Sequence, residues 1–320
     1  MFGSLLYSDP LSYAPGTRAS AVGGAFTAIS NNSSASYYNP AGLAAQGFQA
    51  MYITIEGGGA TKYDYKKQEF VDDGGGAFDL TVISNRFGLE FSWYSTGFDQ
   101  DIMSLSCAYG IMEGMSIGLT AGMATTYATE ESIEWFYGLG YKANILNLKQ
   151  FPVKLDFGIS YRSEQSFEEL KNNSQSTYSG YGMPSRAALG VALLLPTKYA
   201  AVTISADYVY YGYTSATDYQ DVVVKMKDIN EMKIGLSTAF NKVFMGIGYN
   251  TSSSEDNNFN LDVMSIGSGI QWEGKSKGWI SSIDVTYEKR SGNYIDNDID
   301  QSSIMFSINL GHMNSQPWQD

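Results

Sequence analysis

The stretch from Arg86 to Thr96, RFGLEFSWYST, alternates without a break: Phe87, Leu89, Phe91 and Trp93 fall on one face of an extended chain, and Gly88, Glu90, Ser92 and Tyr94 on the other. Residues 153–162 do the same, with Val153, Leu155, Phe157, Ile159 and Tyr161 set against Lys154, Asp156, Gly158, Ser160 and Arg162. The second face therefore carries charges in mid-strand. A soluble sandwich would bury the apolar faces against each other, and a membrane barrel would turn them to lipid.

Composition favours the barrel. The chain of 320 residues has 14% aromatic residues, 34 glycines and only 7 prolines. Charged residues make up 17%, below the usual value of about 25%. No run of roughly 20 apolar residues, the length that a membrane helix needs, occurs anywhere. Cys107 is the single cysteine, which excludes an internal disulfide and suits a lipid-facing strand position. A net charge of -13 without a basic stripe excludes nucleic acid as a partner. Residues 1–11 lack the charged start and apolar core of a signal peptide, so an exported form would be a mature or trimmed chain.

Segments of this kind number about 14, each near the roughly 10 residues that cross a bilayer when tilted. They fall near 49–59, 77–84, 86–96, 101–111, 114–125, 133–145, 152–163, 185–195, 199–211, 230–240, 242–250, 260–272, 278–288 and 302–311. Short links at 85, 112–113, 196–198, 241 and 273–277, with a slightly longer one at 147–151, alternate with long ones at 60–76, 126–132, 164–184, 212–229, 251–259 and 289–301; the exception is 97–100, short on the long side. Outer-membrane barrels alternate in this way, with short turns on the periplasmic side. The reading is an all-β, antiparallel transmembrane barrel of about 14 strands, with 49–311 as barrel and 312–320 as tail. An even strand number returns both termini to the periplasmic side. The glycine runs 57–59 and 74–76 then belong to an outer loop, and the acidic surplus sits mostly in such loops.

With apolar faces outward, the lumen receives Glu56, Arg86, Glu90, Lys142, Lys154, Asp156, Arg162, Asp207, Lys233, Asp284 and Glu288. Most should pair with one another or with a plug, since a charge removed from water needs a partner. Arg86, Lys154 and Arg162 are the candidates for holding the carboxylate of an amphipathic ligand. Trp93, Tyr94, Trp135, Tyr137, Tyr208, Tyr210, Tyr211, Trp272, Trp279 and Tyr287 suit two interfacial girdles. Catalysis finds no support: His312 is the only histidine, just beyond the last expected strand, and no Ser/His/Asp set forms around it. Asp296, Asp298 and Asp300 resemble the start of a calcium loop but lack its glycine and distal glutamate. No cofactor or metal is expected.

Residues 1–48 are not strand-like. Between Gly16 and Gly47, Ala19, Ala21, Val22, Ala25, Phe26, Ala28 and Ile29 have helical spacing, Asn31 and Asn32 stop the helix, and Asn39-Pro40 turns into a second short one. Such a short helical segment could plug the barrel. Three blocks carry a resemblance: Gly16-Thr17-Arg18-Ala19, then Val22-Gly23-Gly24-Ala25-Phe26-Thr27-Ala28, then Tyr38-Asn39-Pro40-Ala41-Gly42-Leu43. Together they resemble the N-terminal signature of the FadL-like superfamily of outer-membrane barrels, especially its PorV and PorQ branch. The resemblance implies a 14-stranded barrel with an N-terminal hatch, in which Arg18, Gly23, Gly24, Phe26, Asn39, Pro40, Gly42 and Leu43 are hatch positions. On the FadL side it implies uptake of fatty acids or aromatic hydrocarbons, with outer-membrane lipid around the barrel and a hydrophobic small molecule, lipid or detergent in the lumen. On the PorV side it implies a barrel subunit of a larger type IX secretion or surface-assembly complex. Uptake predicts an apolar pocket beneath the long loops, bounded by the hatch. A soluble β-sandwich adhesin is the third reading.

Overall fold

The computed structural model describes residues 14–44, 49–64, 69–84, 86–95, 100–126, 132–148, 153–166, 170–171, 177–178, 182–212, 216–219, 222–225, 228–254, 259–273, 278–294 and 297–313. Helices α1 (Thr17–Ala21) and α2 (Ala35–Tyr38) and a 3-10 turn (Pro40–Leu43) come first. The barrel opens with β1 (Gln49–Asp64), β2 (Glu69–Ser84), β3 (Phe87–Ser95), β4 (Gln100–Met112), β5 (Met115–Thr126), β6 (Ser132–Leu148) and β7 (Val153–Arg162). Short strands β8 (Gln165–Ser166), β9 (Leu170–Lys171), β10 (Thr177–Tyr178) and β11 (Gly182–Met183) follow in one connection. Next come β12 (Ser185–Pro196) and β13 (Ala201–Gly212), then the hairpin of β14 (Ala216–Tyr219) and β15 (Val222–Lys225). The chain ends with β16 (Ile229–Phe240), β17 (Val243–Ser254), β18 (Phe259–Glu273), β19 (Trp279–Tyr294) and β20 (Asn297–Met313). β1–β7, β12, β13 and β16–β20, 14 strands, form one closed barrel. Antiparallel pairing of β1 with β20, from Ala50↔Met313 to Gly58↔Met305, closes it.

Each of the expected segments is a strand, but several outer loops are shorter than the sequence implies. Gly57, Gly58 and Gly59 pair with Gly76, Gly75 and Gly74 inside the β1–β2 ladder, which continues to Asp64↔Glu69. Glycine opposite glycine leaves nothing to obstruct the ladder, so pairing outlasts the poor strand propensity that suggested a loop. Strand β17 likewise runs to Ser254, and β19 and β20 pair out to Tyr294↔Asn297. His312 belongs to β20, not to a tail; it pairs with Trp279 in register and its ring meets the indole edge-on, centroids 5.6 Å apart. The rest of the expected tail, 314–320, lies outside the described residues.

The strand period divides the wall into two surfaces. Outward positions are apolar and open, as at Leu105, Leu119, Met232, Ile234, Ile266 and Ile304, and they continue around the barrel. A water-soluble monomer rarely exposes an apolar patch beyond about 300–600 Å², so this belt faces lipid, and a sandwich is excluded because the sheet closes on itself. Cys107 is half-buried on the outward phase of β4, between exposed Leu105 and Tyr109. No helix among the described residues is long and apolar enough to cross a membrane. Two expected girdle residues are not on this surface: Tyr94 and Tyr211 are buried inside. Alternation forces the neighbours in Trp93-Tyr94 and Tyr210-Tyr211 to opposite faces, so only one of each pair can reach lipid.

Candidate functional site

Residues 14–44 fill the lumen: the Pro40–Leu43 turn sits against Gly88 and Gly118 towards the short-turn ends of β3 and β5, while Tyr37 and Tyr38 reach Arg162 and Arg186 at the opposite ends of β7 and β12. The helix expected over Ala19 to Ile29 stops at Ala21. Gly23 and Gly24 adopt φ of +66° and +73°, left-handed values that end a helix and that glycine takes without strain. The bend presses the hatch backbone onto the wall, and the wall makes room with glycines of its own. A Cβ at Gly248 would lie 1.9 Å from the Gly23 nitrogen, at Gly158 2.4 Å from the Thr27 oxygen, and at Gly118 2.3 Å from the Pro40 carbonyl carbon. At Gly140 it would lie 2.2 Å from Asn39 Oδ1, and at Gly88 2.2 Å from the Leu43 oxygen.

Wall carboxylates hold the hatch by its own backbone. Glu56 accepts the Gly16 N–H at 2.5 Å and the Thr17 N–H at 3.2 Å. Asp207 Oδ2 accepts the N–H groups of Phe26 and Thr27 at 2.9 and 2.8 Å. Glu90 accepts the Ser36 N–H at 3.1 Å. Arg18 Nε donates to Asp284 Oδ1 at 2.8 Å, with its guanidinium over the Phe244 ring, and Lys142 Nζ donates to the Ile29 carbonyl at 2.5 Å. Hydrogen bonds to a charged group contribute about 1.5–3 kcal/mol each when buried. The charges therefore do structural work here that a dry lumen of apolar residues could not do.

The Asn39-to-Leu43 turn is anchored just as locally. Asn39 Oδ1 accepts the Ala41 N–H at 3.1 Å and caps the 3-10 turn, while Nδ2 donates to the carbonyls of Thr27 and Tyr141, each at 3.0 Å. Pro40 starts that turn, where no N–H is needed. Gly42 lies against Ser30, where a Cβ would sit 1.6 Å from the carbonyl oxygen. Leu43 packs with Ala35, Ala44 and Ala108, and Phe26 meets Tyr38 edge-on at 5.5 Å.

The three cations singled out for a ligand do not converge. Arg86 is exposed in the turn before β3 and lies outside the lumen, because β3 starts one residue later than the alternation suggested. Lys154 and Arg162 stand near opposite ends of β7, roughly 26 Å apart at the strand rise. Arg162 instead faces Arg186, its direct cross-strand partner on β12. Both guanidinium groups lie over the Tyr37 ring, at 5.8 and 5.7 Å from its centroid. Arg186 is 2% exposed. It escaped the sequence reading because it sits at the start of a strand, before the apolar alternation fixes which face it takes.

Between the hatch and the wall is a cavity of about 50 Å³, bordered by Tyr37, Tyr38, Glu231, Lys233, Glu288 and Arg290 among others. Lys233 pairs with Glu231 at 2.8 Å and Arg290 with Glu288 at 2.9 Å. A space of this size suits a few waters, and its lining is polar where an apolar pocket was expected. The apolar lining lies nearer the loop rim, where Val209, Tyr211, Ile229, Phe259, Leu261 and Ile299 form one buried cluster on the inward face. Among the described residues the inward face near the loop ends of β12, β13, β16, β18 and β20 thus carries an apolar cluster set beside charges, with Arg186 in register with Tyr211, Glu231 with Val209 and Arg290 with Val263.

No protein-family model matches the chain, and no curated protein does. Solved structures do. The monoaromatic hydrocarbon channel CymD aligns over 94% of this chain and 97% of its own, with a TM-score of 0.61 at 12% identity. The Pseudomonas putida toluene transporter TodX aligns over 95% and 99%, with a TM-score of 0.57 at 10% identity. A Pseudomonas aeruginosa FadL homologue aligns over 98% and 99%, with a TM-score of 0.53 at 10% identity. At such identities the likeness is one of architecture, and the chain has the fold of these hydrocarbon-channel and FadL-type barrels.

Proposed function

We propose that the protein is an outer-membrane channel for passive uptake of hydrophobic small molecules, fatty-acid-like or aromatic. In this reading the short-turn rim and both chain ends face the periplasm. The observation that carries it is a closed barrel whose lumen holds a docked hatch beside a buried apolar cluster on five strands. That cluster would take up a compound poorly soluble in water, and the hatch closes the path until it shifts. The structural neighbours named above are described as a hydrocarbon channel, a toluene transporter and a FadL homologue, which supports the same class of cargo. They lend nothing to a PorV-type role in a secretion complex.

Expression in a bacterium lacking its own channels for hydrophobic compounds tests this. Uptake of labelled toluene or decanoate should rise several-fold over cells carrying the empty vector. Equal uptake at equal barrel density in the outer membrane would refute the reading.

A further inference from the structure

The Arg162 and Arg186 pair is an expense that the fold does not explain. Two like charges directly opposite on neighbouring strands destabilise a sheet, and a buried charge without a partner costs more still. Among the described residues, no carboxylate forms a salt bridge with either one. Arg186 Nη1 donates only to the Tyr38 carbonyl at 3.4 Å and to Ser160 Oγ at 3.2 Å. Among the described residues, its Nε and Nη2, and the Nε and Nη1 of Arg162, are buried without a hydrogen-bond partner. Asp207 is near enough to act on Arg186 electrostatically; its Oδ2 is engaged by the hatch amides, and its buried Oδ1 makes no hydrogen bond to either arginine.

The surroundings are aromatic. Tyr37 lies beneath both guanidinium groups, and Tyr38 lies beneath Arg186 as well. Tyr94 closes on Tyr37 edge-on at 5.9 Å and is within hydrogen-bonding reach of Arg162. Tyr211 pairs with Arg186 in register and belongs to the apolar cluster at the loop end. Four nitrogens in two planar forks thus lack partners beside tyrosine rings and the apolar cluster.

Resting on the uptake reading, we infer that Arg186 and Arg162 select an aromatic carboxylate: its two oxygens take the unmatched N–H groups and its ring packs against the neighbouring tyrosines and the apolar cluster. A planar arginine fork matches a carboxylate bidentately, and tyrosine rings offer a flat ring aromatic contacts at little loss of conformational freedom. A neutral hydrocarbon would leave the four donors unmatched. An alkyl carboxylate would satisfy them but forgo the ring contacts.

Binding of 2-naphthoate, naphthalene and decanoate to the purified barrel in detergent, followed by fluorescence or competition, tests the inference. Wild type should bind 2-naphthoate more tightly than the other two. Arg186→Gln should weaken 2-naphthoate by about 10- to 100-fold, the loss of a charge-assisted fork, and leave naphthalene within about two-fold. Arg186→Lys, which keeps the charge and loses the fork, should fall between. Arg162→Gln offers a second variant, and the heat-dependent gel shift of a closed barrel checks that each has folded. Unchanged 2-naphthoate binding in both glutamine variants, or decanoate binding as tight as 2-naphthoate, would overturn the assignment. Naphthalene uptake by cells carrying the wild type would then still stand for the channel, whereas no uptake of any of the three compounds by the wild type would remove the channel reading itself.

Discussion

Asp207, on the barrel wall, accepts the backbone N–H of Phe26, in the hatch, at 2.9 Å through an oxygen that also takes the next amide. The two residues are 181 positions apart, so this contact joins two parts of the chain that nothing local brings together. Its removal leaves two buried N–H groups unmatched. Asp207→Ala should weaken hatch docking by about 2–4 kcal/mol, which speeds exchange of the Phe26 and Thr27 amides by roughly 30- to 1000-fold. Hydrogen exchange read by mass spectrometry checks this, and Asp207→Asn, which keeps an acceptor, should show a smaller effect.

The glycine seat makes a steric prediction. A Cβ at Gly118 would lie 2.3 Å from the Pro40 carbonyl carbon, whereas one at Gly74 meets nothing within 4 Å. Gly118→Ala should therefore displace the Asn39-to-Leu43 turn at an overpacking cost of about 1–3 kcal/mol, with the barrel still closed. Limited proteolysis should cut the hatch of Gly118→Ala faster and leave Gly74→Ala at the wild-type rate.

The lipid belt can be probed one charge at a time. Leu119 is 53% exposed in mid-strand on β5, and Tyr109 is 54% exposed nearer the turn end of β4. Leu119→Arg should cost about 2–4 kcal/mol and Tyr109→Arg about 0–1 kcal/mol in a bilayer, following depth. Unfolding in guanidinium from phospholipid vesicles would measure both, and equal costs would place the belt wrongly.

Strand number, order and facing were legible because each strand repeats the same two-residue period, so Phe87 to Trp93 already separates lipid from lumen. What lay beyond reading depended on contacts distant in sequence. Gly57 to Gly59 looked like a loop because their partners at Gly74 to Gly76 are also glycines, and only the ladder shows that the two runs match. Arg86, at a strand boundary, was assigned a face on a phase that fails there by one residue. Arg186 went unnoticed for the same reason, and its proximity to Arg162 is a matter of register between β7 and β12. The hatch was visible as a segment. Its seat, made of inward glycines and carboxylates on many strands, was not.

The central claim is that cargo passes through a lumen which the hatch closes, so fixing the hatch should stop uptake. Thr54 Oγ1 on β1 donates to Ser33 Oγ in the hatch at 2.7 Å, both residues buried, so the two side-chain tips meet across the hatch–wall contact. With Cys107 replaced by serine, Ser33→Cys and Thr54→Cys should crosslink on oxidation and block uptake of labelled toluene, and reduction should restore it. Equal uptake by the oxidised and reduced protein, with the crosslink confirmed by mass spectrometry, would contradict the account.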